Sequence, residues 1–407
     1  MKMIKGSGVF LFAVLLLLLA GCIDNPSNQS ASGGGSETES EAPEVEEGEE
    51  VVSIGYSGPL SGPAAYYGER TLNGLKLAVD EINNNGGFEI EDQTYKFNLV
   101  SLDDKYLPNE TAANAKRLIQ ENNTPVIFSP HSGGIKAMQV FNEQENFLIG
   151  AYTSEPAVTA EGNTLTVRVP PSYDGYLEPF TSYAMENHGM KLAALPTASQ
   201  YGKDWTEAIV PYWKEQGGEV VYNSSIDFSK DTDFFTLVTN ALKEDPDVLF
   251  IGGPSEPTAK VAKQARELGF QGGFMVMDQA KLDEMEAVTG SYEALEGSVG
   301  VLPLANSEYP GTPAFIEKYK EEHDEVPGSE AGYHYVALNI LMEAMKAAGS
   351  VDDPKAIRSH IQDGLDALPE EKEVYTIEEV GKDGGFATDL SIAAVENGEI
   401  VTIEVND

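Results

Sequence analysis

Val51-Val52-Ser53-Ile54-Gly55-Tyr56 runs directly into Ser57-Gly58-Pro59-Leu60-Ser61-Gly62-Pro63-Ala64-Ala65-Tyr66-Tyr67-Gly68, and Asn73-Gly74-Leu75-Lys76-Leu77-Ala78-Val79-Asp80-Glu81-Ile82-Asn83 follows. A short apolar run, a loop tightened by Gly and Pro, and then an amphipathic stretch make the first half of a βαβ unit. The loop holds Tyr67 where the strand ends. The same grammar repeats along the chain. Strands are expected at 51–56, 96–102, 125–129, 147–151, 192–195, 219–225, 248–251 and 273–277. Helices are expected between them, at 71–84, 110–121, 203–215, 231–243, 257–268 and 312–323. Near-continuously apolar strands alternating with helices indicate parallel sheets covered on both faces. The fold class is therefore α/β.

More than 350 residues follow Val51, too many strands for one compact sheet. The expected architecture is two doubly wound parallel-sheet lobes with a cleft between them. Crossovers are placed near 170–173, near 303–306 and near Ile377. Lobe 1 then takes 51–171 and 304–376, and lobe 2 takes 172–303 and 377–407, with C-terminal strands at 390–395 and 399–405. In open α/β sheets, ligands bind beyond the carboxyl ends of the strands, where loops enter helix N-termini.

The N-terminal end is different in kind. Lys2 and Lys5 precede an apolar run over 9–20 that is too short to span a bilayer and has the form of a secretory signal. It ends in Leu19-Ala20-Gly21-Cys22, and Cys22 is the one cysteine of 407 residues, which excludes a disulfide framework within the chain. Small residues before a Cys at this place resemble the lipobox of prokaryotic lipoproteins. That resemblance implies a signal peptide over 1–22, lipidation of Cys22, and a protein anchored to the outer face of the cytoplasmic membrane. Residues 23–50 carry nine acids and no Lys or Arg, and are expected to be a disordered, acidic, solvated linker.

The whole chain has 26 Lys+Arg against 67 Asp+Glu, a formal net charge of −41. Beyond residue 50 there remain 24 bases and 58 acids, a net of −34, so the acid excess belongs to the folded part. No basic stripe is left for nucleic acid. A dispersed acidic surface favours solubility by self-repulsion, a lever that halophilic proteins use, and a saline habitat is the expectation. The five His are scattered, with no His-Glu-x-x-His helix, Walker loop, dinucleotide fingerprint or Gly-x-Ser-x-Gly elbow. Acid runs such as Glu370-Glu371 read as solvated faces. No enzyme, cofactor or metal site is expected.

Two further loops occupy the expected ligand position. Ser129-Pro130-His131-Ser132-Gly133-Gly134 leaves a strand and opens a helix, where a Ser hydroxyl and bare Gly amides can hold a carboxylate. Tyr152-Thr153-Ser154-Glu155-Pro156 leaves the next strand. Gln200-Tyr201-Gly202, Phe274-Met275-Val276-Met277-Asp278 and Ala331-Gly332-Tyr333-His334-Tyr335-Val336-Ala337-Leu338 come later in the chain. As an ordered set over roughly 51–345, these pieces resemble the branched-chain amino-acid-binding (leucine-binding) family of extracellular solute receptors, with the type I periplasmic binding fold.

The resemblance implies a lipoprotein that closes like a clamshell on an amino acid or a related small carboxylate or amide. The ligand is then delivered to the permease and ATPase of an ABC importer. It implies that Ser132 and Ser154 offer hydroxyls, and Gly133 a backbone amide, to a ligand carboxylate. Tyr152 would offer its carbonyl, and Asp278 its carboxylate, to the ammonium. Tyr67 and Tyr201 would wall the side-chain pocket. Pro254 stands where branched-chain receptors carry an aromatic residue, which is expected to leave space or polarity for a ligand other than Leu or Val. His131 is a further candidate contact beside the more ordinary reading as a loop histidine. The chain is expected to act as a monomer; the alternative is a ligand-sensing subunit that signals through a membrane partner.

Overall fold

The computed structural model describes residues 37–39, 43–388 and 390–405. Cys22 and the signal segment lie outside the described residues. Among the described residues sixteen strands occur in chain order: β1 Glu37–Glu39, β2 Glu49–Gly58, β3 Phe88–Ile90, β4 Gln93–Asp103, β5 Val126–Ser129, β6 Leu148–Ala151, β7 Thr166–Arg168, β8 Lys191–Pro196, β9 Glu219–Asn223, β10 Val248–Gly252, β11 Gly273–Val276, β12 Ser298–Val301, β13 Ile377–Val380, β14 Phe386–Thr388, β15 Ile392–Glu396 and β16 Glu399–Ile403.

They form two seven-stranded sheets and a small hairpin. The first sheet runs β1-β4-β2-β5-β6-β7, parallel from β4 to β7, with β1 and β3 antiparallel on β4. The second runs β16-β15-β12-β11-β10-β8-β9, parallel except for β15 and β16. Alternate residues of one strand feed opposite cores, as a sheet covered on both faces requires. In β5, Val126 and Phe128 pack beneath the helices Ala65–Asn84 and Ser329–Ala348, while Ile127 joins Leu118 and Ile135 on the other face. In β10, Leu249 and Ile251 enter one core and Val248 and Phe250 the other. The two doubly wound α/β lobes are those expected from the strand pattern.

Two boundaries differ. The spacer expected over 23–50 is in part sheet: β1 pairs with 100–102, and Lys96 fixes the following segment, donating to the Glu44 carbonyl at 3.0 Å and lying 2.8 Å from the Glu49 carboxylate. A lone lysine among eight glutamates supplies the partner that composition alone does not reveal. The third crossover also falls later than Ile377. Ile377 and Phe386 of the β13–β14 hairpin are buried in the first lobe's core, and Gly385 bridges to Arg168 beside β7. The chain returns to the second lobe only ahead of β15.

Candidate functional site

The first lobe contributes loops that leave β2, β4, β5 and β6. Gly68 lets the first of them close on itself, since a Cβ there would run into the Pro59 carbonyl. This seats Tyr67, whose hydroxyl donates to the Pro130 carbonyl at 2.7 Å. The helix Ser132–Gln139 starts after β5 and is capped by His131, whose Nδ1 accepts from the Gly134 amide at 3.0 Å. Since Nδ1 accepts, the proton of the neutral ring lies on Nε2, which donates to Asp104 Oδ2 at 3.0 Å. Asp104 is fully buried and also accepts from Thr111 Oγ1, Ser57 Oγ and the Tyr106 amide. His131 therefore has both nitrogens committed. Its ring faces the cavity and stacks on Tyr106 with centroids 4.7 Å apart, but it is a cap rather than a polar ligand contact.

Ser132 Oγ lies 2.6 Å from Thr153 Oγ1. Thr153 Oγ1 also accepts from the Glu155 amide at 3.3 Å, and either hydroxyl of the pair can donate to the other. Where Thr153 donates, the Ser132 proton is free to point into the cleft.

The second lobe contributes the carboxylate. Asp278 follows β11, and its Oδ1 accepts from Tyr201 Oη at 2.6 Å, Trp205 Nε1 at 2.7 Å and, across the cleft, Ser154 Oγ at 3.0 Å. Tyr201 and Trp205 project from the helix Gln200–Glu215, which Ser199 caps by accepting from the Gly202 amide. Burial, reinforced by the Asp278 charge, pushes the Tyr201 phenol well above its usual range, so it stays a donor. Its oxygen accepts the Gln279 amide at 3.0 Å. Among the described residues, the other Asp278 oxygen has no hydrogen-bond partner.

Further contacts tie the lobes together. Gln279 Nε2 donates to Tyr106 Oη at 3.1 Å, Lys136 lies 3.2 Å from Asp204, and buried Arg70 pairs with Glu284. The cleft is thus closed over a small cavity of about 20 Å³, partly open to solvent and large enough for roughly one water molecule.

Of the expected site residues, Tyr67, Ser132, Tyr152, Ser154, Tyr201 and Asp278 lie on this one wall. Gly133 does not; a Cβ there would sit 2.9 Å from Pro108 Cγ, behind the wall. Pro254 also lies elsewhere. It precedes the helix Ser255–Glu267 and lines an adjoining groove of about 730 Å³ with Ile226 and Phe228, which shares only Tyr106 with the cavity. The space expected from the missing ring is thus in that groove and not at the wall. Sequence reasoning missed Tyr106, Thr153 and Gln279. Lys105 and Tyr106 have positive φ (55° and 63°), a turn after β4 that lacks the Gly that normally marks one. Among the described residues no group of three or more His, Cys, Asp or Glu could hold a metal ion.

Comparison with known proteins agrees with this geometry. A family model described as periplasmic binding protein matches residues 51–399. The Leu/Ile/Val-binding protein of Escherichia coli K12 is 24% identical over 315 residues, covering 77% of this chain and 83% of that protein. An amino acid binding protein of Pseudomonas aeruginosa is 27% identical over 316 residues, covering 76% and 83%. Among solved structures, a leucine-binding protein from Thermotoga maritima superposes with a TM-score of 0.74 at 23% identity, covering 87% of this chain and 98% of that one. A branched-chain amino-acid-binding protein from Streptococcus pneumoniae, solved with isoleucine, gives 0.71 at 20% identity, covering 87% and 100%. The fold is that of the type I periplasmic binding proteins, and the chain belongs to the periplasmic binding protein family, whose members bind solutes and are not enzymes.

Proposed function

We propose that this protein is an extracytoplasmic receptor for a small zwitterion, an amino acid or close analogue, which it captures by lobe closure and passes to an ABC importer. The observation that carries this is the pairing of opposite chemistries across one cavity. On the first lobe stand the N-terminus of an eight-residue helix and the hydroxyls of Ser132 and Thr153. On the second stands the uncommitted oxygen of Asp278. A helix N-terminus with hydroxyl donors suits a carboxylate, and a carboxylate with an open oxygen suits an ammonium. A ligand that bridges them binds the closed state better than the open one, which is the condition for ligand-driven closure. The names of the relatives, Leu/Ile/Val-binding and amino acid binding, support the amino acid class.

In this reading Ser132 binds the ligand carboxylate, with the Gly133 amide contributing from behind the wall, while Ser154, whose proton goes to Asp278, braces the group that meets the ammonium. The Tyr152 carbonyl and Asp278 take the ammonium. Tyr67 walls the ligand, and Tyr201 holds Asp278 in place. Lipidation of Cys22 would keep the receptor at the membrane surface beside its permease. Isothermal titration of the purified soluble part with the twenty amino acids tests the site. Saturation by at least one free amino acid, lost when its amino group is acetylated, is expected. Binding that ignores acetylation would refute the zwitterion reading. Metabolic labelling with a fatty acid, compared between wild type and Cys22→Ser, tests the anchor; equal labelling would refute it.

A further inference from the structure

Resting on that reading of the site, we infer that the ligand carries a second acceptor group, a side-chain carboxylate or amide carbonyl, which enters a separate subsite on the hinge side of the cleft. A second, small cavity of about 30 Å³ adjoins the first and shares Tyr152, Pro170 and Asp278 with it. A ligand whose ammonium sits at Asp278 thus lies between two cavities, one toward Ser132 for its carboxylate and this one for its side chain.

The chemistry of that space is not aliphatic. Lys281 lines it and is only 3% exposed, yet its ammonium makes contact with no carboxylate among the described residues. It donates to two backbone carbonyls, those of Asp278 and Gln279, which leaves one of its three N–H groups uncommitted. Glu284 acts on it only at longer range and is itself bonded to Arg70 and Ser255, so the third N–H has no acceptor in direct contact, and a buried donor left unmet is unfavourable. Tyr375 lines the same cavity at 7% exposure, and its hydroxyl is buried with no hydrogen-bond partner; Ser329 is close by but does not meet it in hydrogen-bond geometry. The ring is held rigidly, stacked on Tyr333 with centroids 3.8 Å apart and planes 3° from parallel. Two idle donors, one of them charged, in a cavity adjoining the ligand site are the complement of an acceptor. A leucine or valine side chain would leave both unmet, and rejection of a ligand that leaves buried polar groups unpaired is the stronger form of specificity.

The test is calorimetric titration of the whole soluble protein with L-glutamate, L-glutamine and L-leucine, repeated on Lys281→Met and Tyr375→Phe. Glutamate or glutamine should bind at least tenfold more tightly than leucine. That preference should fall at least tenfold in Lys281→Met and severalfold in Tyr375→Phe, while leucine binding changes little. Tyr375→Phe guards against a misfolded Lys281 variant, because it removes a hydroxyl on which nothing depends. Leucine binding as tightly as glutamate and glutamine would overturn the inference and leave the zwitterion site standing. A preference for glutamate or glutamine that survives both substitutions would overturn it as well, by placing the acceptor elsewhere. Failure of every free amino acid to bind would remove the underlying reading and the inference with it.

Discussion

Replacing Asp278 by asparagine isolates the charge that the ligand is proposed to meet. Oδ1 accepts three hydrogen bonds, from Tyr201 at 2.6 Å, Trp205 at 2.7 Å and Ser154 at 3.0 Å. An asparagine must present its carbonyl oxygen to those donors, because its amide there would face donors with donors. The amide is thereby forced into the position of the uncommitted oxygen, where it would point N–H groups at the ligand's ammonium. A hydrogen bond to a charged group contributes about 1.5–3 kcal/mol, so its loss should weaken binding roughly 10- to 150-fold. The stability of the ligand-free protein should change by less than about 1 kcal/mol, since the three internal bonds survive. Alanine is a poorer probe: it strips Trp205 Nε1 and Tyr201 Oη of their acceptor and mixes a folding defect with a binding one. Calorimetric titration gives the affinity and urea denaturation the stability. Wild-type affinity in Asp278→Asn would refute the role assigned to Asp278, and lost affinity with equally lost stability would refute the separation of binding from folding.

Three other outcomes are expected. Glu155 of the first lobe faces Asp204 of the second; burial and then Asp204 push its carboxyl up to about 7, against the pull of Lys136. Tyr173 and Arg168 also feel its charge. In the closed state Glu155 holds a proton that an open, solvated Glu155, with its ordinary value near 4.5, gives up. Closure therefore gains its full contribution below that ordinary value and loses it as pH rises through about 7, so affinity measured from pH 5 to 8.5 should fall. Glu155→Gln should flatten the profile, and a wild-type affinity that rises with pH contradicts the assignment. His131→Ala removes the helix cap and the partner of a fully buried Asp104. It should lower stability in urea by about 2–3 kcal/mol, the loss of a hydrogen bond to a buried carboxylate together with the cap, and no more because Ser57, Thr111 and the Tyr106 amide still hold Asp104; a change below about 1 kcal/mol would show that the cap is idle. With a net charge of −34 beyond residue 50, the melting temperature should climb from low to molar salt, and a flat curve would dispose of the saline expectation.

The fold was legible where a strand is long and apolar and a helix follows it. The strand expected at 248–251 is β10, and the helix expected at 312–323 is the observed Thr312–His323. It was illegible where local signals conflict. β12 reads Ser298-Val299-Gly300-Val301, and its glycine argues against a strand until the neighbours β11 and β15 are in place. The helix Asp174–Asn187 carries Pro179 inside it, a residue that ends helices in isolation. The site divides in the same way. Loops that follow a strand could be placed from order alone, but pairings across the chain could not. Tyr201 read as a wall, yet its hydroxyl serves Asp278, 77 positions away. His131 read as a possible contact because Asp104, which fixes its ring, is 27 positions upstream in another loop. Side-chain partnership at such separations is decided by tertiary packing, for which a single sequence has no local signature.

The acid excess also bears on how the cleft closes. Closure sets Glu155 against Asp204, and it buries Glu284 beside Glu330. Burial, and then Glu330, push Glu284 well above its usual range. Few cations oppose this, and they stand where the acids converge: Lys136 beside Asp204, and Arg70 bonded to Glu284 and the Val326 carbonyl. Both acid pairs favour a proton in the closed state, so their effects on the pH profile add in one direction. Salt acts on other groups. Ions screen the exposed surface charge within a Debye length but reach buried pairs poorly. The surface and the cleft are therefore separable by one experiment. If the acids of the cleft govern closure, the fall of affinity with rising pH persists at molar salt. If the dispersed surface charge governs it, the fall disappears there.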